Sequence, residues 1–367
     1  MRLLSDYNKD VRTKKKDPGA YEWWYFDGVD SEGIYSFVII FYEGNPFSTR
    51  YMKRQRKMNR GSNGVATEYP AVSISIYQNQ QPIYYSFTEF RREDCTFDDT
   101  KPFLSVGDHT MEGSIESGTM NYRLNLKESL PSGDRLVGHL SFRASEPDGP
   151  LFSTAPRLVE EGHVWNLVQP RAEVEGKLKI FARVEPDREI GFDGTGYHDH
   201  NMGKEPMRNE FKDWYWGRFH FELGTLVYYI MDRRDSHARQ QQGWLVSPEN
   251  GEVLQQFPNI ELQDLGWTKF GMKSARKILM GNDQAHVVVQ QARILDDGPF
   301  YQRFSSDSYI NIAGQDIMEV AEGISEYIRP DRIHWRIFWP ILNMRIRYLN
   351  GKTHWVQRSK MLYRLTW

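Results

Sequence analysis

Apolar and polar residues alternate with a period of two along most of this chain, in short runs separated by turn residues. Successive side chains of a strand point to opposite faces, so this period predicts half-buried strands closed by tight turns. The segments EWWYFDG (22–28) and IYSFVIIFYEG (34–44), joined by DSEG (30–33), read this way. So do AVSISIYQNQQPIYYSF (71–87), which turns at 78–81, RLVGHLSFRA (135–144) and HVWNLVQPRAEVEGKLKIFARV (163–184). The same look returns in WYWGRFHFELGTLVYYIMDRR (214–234), QGWLVSPENGEVLQQF (242–257) and AHVVVQQARILD (285–296). Helical stripes are scarce. Many short strands with Gly- and Pro-bearing turns predict an all-β chain of the sandwich or barrel class.

The first of these strands carries bulk on both sides. Trp23, Tyr25 and Asp27 share one face, and Glu22, Trp24, Phe26 and Gly28 share the other. Neither face suits water, so the strand is expected to be covered on both, with Glu22 and Asp27 held by partners such as Arg171 or Arg218. A chain of 367 residues is long for one core and suits two. The polar, proline-bearing stretch GKEPMRNE (203–210) is the best break, giving expected domains at 1–204 and 205–367.

Aromatic residues make up 14% of the chain, so rings must do much of the burying, and rings make good walls for a lipophilic ligand. The formal net charge of −2 gives no broad basic field, which argues against a nucleic-acid partner. The single cysteine, Cys95, stands in the acidic stretch REDCTFDD, where a thiolate is disfavoured, so it reads as a bystander. The start shows a basic run at 14–16 but no apolar stretch of the kind an export signal needs, and no window is apolar enough to span a membrane. A cytoplasmic location is the expectation. The basic segment 53–64 reads as a solvated loop. RPDRIHWRIFWPILNMRIR (329–347) interleaves five arginines with rings; it reads as a strand pair broken at Pro340, or else as a peripheral contact with anionic lipid.

The densest polar cluster is GTGYHDHNMG (194–203). If it is extended, Tyr197 and Asp199 lie on one face and His198 and His200 on the other. Its glycines allow close backbone approach. A metal site would use the histidine face with a third ligand such as His163, whereas an acid–base site would use the Tyr197 and Asp199 face. The chain has no HExxH, no thiolate set, no GxSxG elbow and no glycine-rich phosphate cradle, so no metal ligand and no cofactor is assigned. His163 and Trp165 share a face of their own strand. His198, pointing away from Asp199, is expected to matter far less to its chemistry.

Four motifs in order, Glu22-Trp23-Trp24-Tyr25-Phe26, His163-x-Trp165, Gly196-Tyr197-x-Asp199-x-Asn201-x-Gly203 and Trp214-x-Trp216-Gly217, resemble the carotenoid 1,2-hydratase and AttH-type lipocalin-like family. The resemblance implies two lipocalin-like antiparallel β-barrels packed together around a lipophilic pocket, and chemistry without a cofactor or metal. It places the active-site set on Asp199, His163, Tyr197 and Trp165. Trp23, Tyr25, Trp214 and Trp216 are the expected substrate-binding rings. The implied activity is addition of water to a C=C bond of an isoprenoid by acid catalysis; Diels–Alderase-like cyclisation of a polyene and simple carriage of a lipophilic ligand are the alternatives. Asp199 is the expected acid, Trp165 and Tyr197 the expected cation stabilisers, and His163 the group that accepts a proton from water or orients it.

Overall fold

The computed structural model describes residues 1–15, 17–58, 65–147, 162–234, 239–313 and 317–367. The chain is mostly strand, as the period-two pattern predicts, and its contacts divide it into two units, Met1–Pro206 with Arg336–Trp367, and Met207–Trp335. The tail Arg336–Trp367 thus groups with the first unit rather than with the rest of 205–367. The reason is local pairing: Arg347 and Tyr348 add a parallel strand beside Thr88 and Glu89, and Thr49 Oγ1 donates to Asn343 Oδ1 at 2.7 Å.

The first unit is built on one long, curled sheet. Four strands run as an antiparallel meander, Tyr21–Asp30, Tyr35–Glu43, Ala71–Gln78 and Gln81–Glu89. The turn expected at 78–81 is there, with Asn79 and Gln80 at φ of 48° and 60°, as a two-residue hairpin loop requires. On the other side of Tyr21–Asp30 lies Arg188–Gly203, followed by Val164–Phe181, Arg135–Ser145 and Thr119–Ser129. The inner face is filled by an apolar core that includes Trp24, Phe26, Phe41, Ile74, Leu124, Phe142 and Val174. Trp24 is buried and Trp23, on the opposite face, half-buried, so this strand is covered on both sides.

The second unit has a nine-stranded sheet around a core of its own, including Tyr215, Phe219, Tyr228, Val289 and Phe304. Its first strand, Phe211–His220, pairs with its last, Ile317–Ile328. In the first unit a comparable long-range pairing joins Tyr21–Asp30 to Arg188–Gly203.

Two local expectations are corrected. The segment 329–347 is no strand pair: it folds as the helices Pro330–Ile333 and Trp339–Arg345 with a 3-10 turn at Arg336–Phe338. Pro330 and Pro340 stand in the first turns of these helices, where a fixed φ helps and the missing N–H costs nothing. The segment 53–64, read as a loop, begins within the helix Thr49–Gln55, capped by Ser48; residues 59–64 lie outside the described residues.

Candidate active site

The strands Tyr21–Asp30 and Arg188–Gly203 pair so that Tyr197 faces Asp27, Asp199 faces Tyr25 and Asn201 faces Trp23. Val164–Phe181 then brings Trp165 opposite Asn201 and Leu167 opposite Asp199. Period two carries Tyr197, Asp199 and Asn201 to the face turned away from the core, and Trp165, Tyr25 and Asp27 join them there. All six are buried.

Asp199, only 4% exposed, is the centre of this face. Its Oδ2 accepts from Trp165 Nε1 and from Tyr197 Oη, each at 2.7 Å, and its Oδ1 accepts from Asn201 Nδ2 at 2.8 Å. Asn201 turns its oxygen the other way, 2.9 Å from His163 Nε2. Because an amide oxygen only accepts, His163 Nε2 must carry the proton, and His163 Nδ1 then accepts from Tyr21 Oη at 2.8 Å. The chain of donors runs Tyr21, His163, Asn201, Asp199. Burial lowers His163 to about 3, so its ring is neutral at any ordinary pH. Burial, then the charge of Asp199, raises Tyr197 well above the usual phenol range.

Gly203 has a clear reason to be glycine. A Cβ there would lie 2.4 Å from the Tyr21 ring, the ring whose hydroxyl holds His163. A second carboxylate, Asp27, is fully buried on the same face and accepts from Tyr25 Oη at 3.1 Å.

Chemically, a carboxylate at Asp199 accepts all three bonds. If Asp199 carries a proton, the Tyr197 hydroxyl is the one among these three partners that can accept it, since an indole N–H and an amide NH2 are donors only. A proton shared with any of these three partners therefore lies on the line between Asp199 Oδ2 and Tyr197 Oη. Trp165 meets Asp199 Oδ2 through its ring nitrogen, and the Tyr25 ring makes edge contact with the Tyr197 ring at 6.0 Å between centroids.

The four expected active-site residues are thus joined in one hydrogen-bonded set. Trp23 and Tyr25 flank it on the neighbouring strand. Trp214 and Trp216 are buried on Phe211–His220 of the second unit, on the face of that sheet turned away from Tyr215 and its core. Asn201, Tyr21 and Asp27 were not among the expected site residues. The sequence carries a signal for each: they lie at even spacing from Asp199 or Tyr25 and so share their faces.

His198 and His200 lie on the inner face, with His163 on the opposite one. His198 Nε2 is 3.0 Å from Asp10 Oδ2 and its Nδ1 is 3.0 Å from the Tyr25 carbonyl oxygen. His200 Nε2 meets Glu22 Oε1 at 2.9 Å, while its Nδ1 stands 3.0 Å from Asp10 Oδ1, an ion-pair contact off the axis of a hydrogen bond. The rings stack on Phe26 and Trp24, at 3.9 and 4.4 Å between centroids. Lys15 pairs with both Glu22 and Glu43, and Arg12 forks onto Glu43. The partners of Glu22 are thus Lys15, His200 and Thr13, not the arginines expected from sequence.

Burial alone would lower His200, but its contacts with Asp10 and Glu22 prevail and push it up to about 9. Burial would likewise raise Asp10, yet His198 and His200 hold it well below the usual carboxylate range. A group raised on folding stabilises below its unfolded value, about 6.5, and loses that contribution as pH climbs through the folded value. The melting temperature is therefore expected to fall between about pH 6.5 and 9, and His200→Gln to flatten that slope. Parallel slopes in scanning calorimetry of the two proteins would contradict the assignment.

A family model described as carotenoid hydratase CrtC matches residues 39–355. A protein of Chlorobaculum tepidum named hydroxyneurosporene dehydrogenase is 30% identical, over 92% of this chain and 90% of its own length. An acyclic carotenoid 1,2-hydratase of Thiocapsa roseopersicina is 26% identical, over 84% of this chain and 69% of its own. Among solved structures, CghA with Sch210972 superposes with a TM-score of 0.60 at 11% identity, covering 89% of this chain and 98% of that one. A putative AttH of Nitrosomonas europaea gives 0.56 at 12%, covering 90% and 98%. These two share the fold, which is the lipocalin-like one expected from the motifs. With its family model spanning most of its length, the chain belongs to the CrtC carotenoid hydratase family and is an enzyme of the carbon–oxygen lyase or related cyclase class.

Proposed function

We propose that this enzyme adds water to the terminal C=C bond of an acyclic carotenoid or a similar isoprenoid, with Asp199 as the acid. The observation that carries this reading is the buried Asp199 carboxyl, fixed by Trp165, Tyr197 and Asn201 in an aromatic surround. In the first step the Asp199 proton moves to the less substituted alkene carbon, and the π pair becomes the new C–H bond. The tertiary cation that remains faces the rings of Trp165, Tyr197 and Tyr25, where cation–π attraction is worth about 2 kcal/mol in the absence of water. The charge left on Asp199 lies beside it.

Water then attacks the cation, forming the C–O bond, and the oxonium proton returns to Asp199, which restores the acid. Neutral His163, with both ring nitrogens engaged, positions Asn201 and through it Asp199; it is a weak base for the captured water. Trp23, Tyr25, Trp214 and Trp216 remain the rings we assign to binding the polyene. The cycle consumes only alkene and water.

The test is to incubate the purified protein with an acyclic carotenoid that ends in a trisubstituted double bond and to analyse the extract by mass spectrometry. A product heavier by one water is expected. An isomer of unchanged mass would mark a cyclase, and carotenoid bound but unaltered would mark a carrier.

A further inference from the structure

The tail of the first unit, Arg336–Trp367, carries seven Lys and Arg residues and no Asp or Glu. It also leaves large apolar side chains in water: Ile337 is 77% exposed, Trp355 64%, Met361 70% and Leu365 77%. Arg336, Lys352, Arg358 and Arg364 are exposed with them.

Two short helical turns, Trp355–Arg358 and Lys360–Arg364, meet at Ser359, whose backbone is extended. In the first turn Trp355 and Arg358 stay in solvent while Val356 and Gln357 are buried; in the second Met361 and Arg364, with Leu365 just after it, stay in solvent while Tyr363 is buried. The buried side is firmly anchored: Gln357 Nε2 donates to the carbonyls of Met344 and Ile346, and Tyr363 Oη donates to the carbonyl of Arg345. Large rings and aliphatics thus stand exposed on a fixed segment that has no acid of its own; Lys360 pairs with Asp134 and Glu185 from elsewhere in the unit, at 3.2 and 3.3 Å, while Arg336, Lys352, Arg358 and Arg364 meet solvent.

We propose that this tail docks the protein on an anionic lipid surface, with Trp355, Met361 and Leu365 dipping into the interface and Lys352, Arg358 and Arg364 meeting lipid phosphates. The partner is identified by charge and by the exposed apolar side chains beside it: a bilayer takes small apolar insertions and supplies the negative field that the segment lacks. No helix among the described residues is long and apolar enough to cross a membrane, which suits a contact made from one side.

Sedimentation with phosphatidylcholine vesicles, with and without phosphatidylglycerol, tests this directly and needs no substrate, so its failure would leave the hydratase reading standing. Partition is expected to be at least about tenfold greater onto the anionic vesicles and to fade as salt rises. Two variants at exposed positions are each expected to remove that preference: Trp355→Ala with Met361→Ser and Leu365→Ser, and Lys352→Glu with Arg358→Glu. Equal partition onto both vesicles, or wild-type partition by both variants, would overturn the proposal. So would a wild-type dimer that the apolar variant turns into a monomer without any lipid dependence, since a second copy would then cover this surface.

Discussion

Asp199→Asn is expected to stay folded, to bind the polyene about as well as wild type, and to turn it over at least about a thousandfold more slowly. Asparagine keeps the volume, and its oxygen can still accept from Trp165 and Tyr197. Its nitrogen would then face the Asn201 nitrogen, donor against donor. The chain can absorb that: Asn201 flips, His163 moves its proton to Nδ1, and Tyr21 Oη accepts instead of donating. The proton for the alkene is the one thing the variant lacks. Turnover followed by chromatography, with the melting temperature as a check on folding, separates this loss from simple unfolding.

The second large effect lies on the other face. His198→Ala is expected to cost about 3 kcal/mol of stability or more, because it strips a fully buried Asp10 of one of its two histidine partners and opens a hole against Phe26 and Tyr122. Denaturant unfolding measures it. Strand geometry alone makes His198 a bystander to Asp199, and for the chemistry that still follows; its weight is in the fold. A loss within a few tenths of a kcal/mol would mean that the charge of His200 and the hydrogen bond from Tyr122 are enough to hold Asp10.

Much of the first unit's framework is legible in the sequence because a strand encodes its own faces. The parity of Tyr197, Asp199 and Asn201, and of Trp23, Tyr25 and Asp27, already places each set on a single side. Register then brings the two sets together, and register rests on pairing that no single strand contains. The Asp10 network illustrates the limit. Asp10 lies 188 residues from His198, in a segment without hydrophobic period, and nothing local marks it as the acid that fills the inner face. The available hint was indirect: two histidines on a face full of aromatics need acceptors when buried.

The tail shows a different failure. Met344, Ile346 and Tyr348 alternate with arginines as a strand would, but Pro340 sits where it starts a helix, and the alternation covers too few residues to outweigh that. The grouping of the tail with the first unit was hidden for another reason. A tail that crosses back to pair with Thr88 and Glu89 leaves no mark in composition.

Turnover of an acyclic carotenoid in deuterated water, with the product examined by NMR, tests the central claim most directly. If Asp199 delivers the proton, wild type gives an alcohol with one deuterium fixed on the carbon next to the new C–O bond, and folded Asp199→Asn gives essentially none. An alcohol without carbon-bound deuterium, or the same labelled product formed by Asp199→Asn at the wild-type rate, would contradict it.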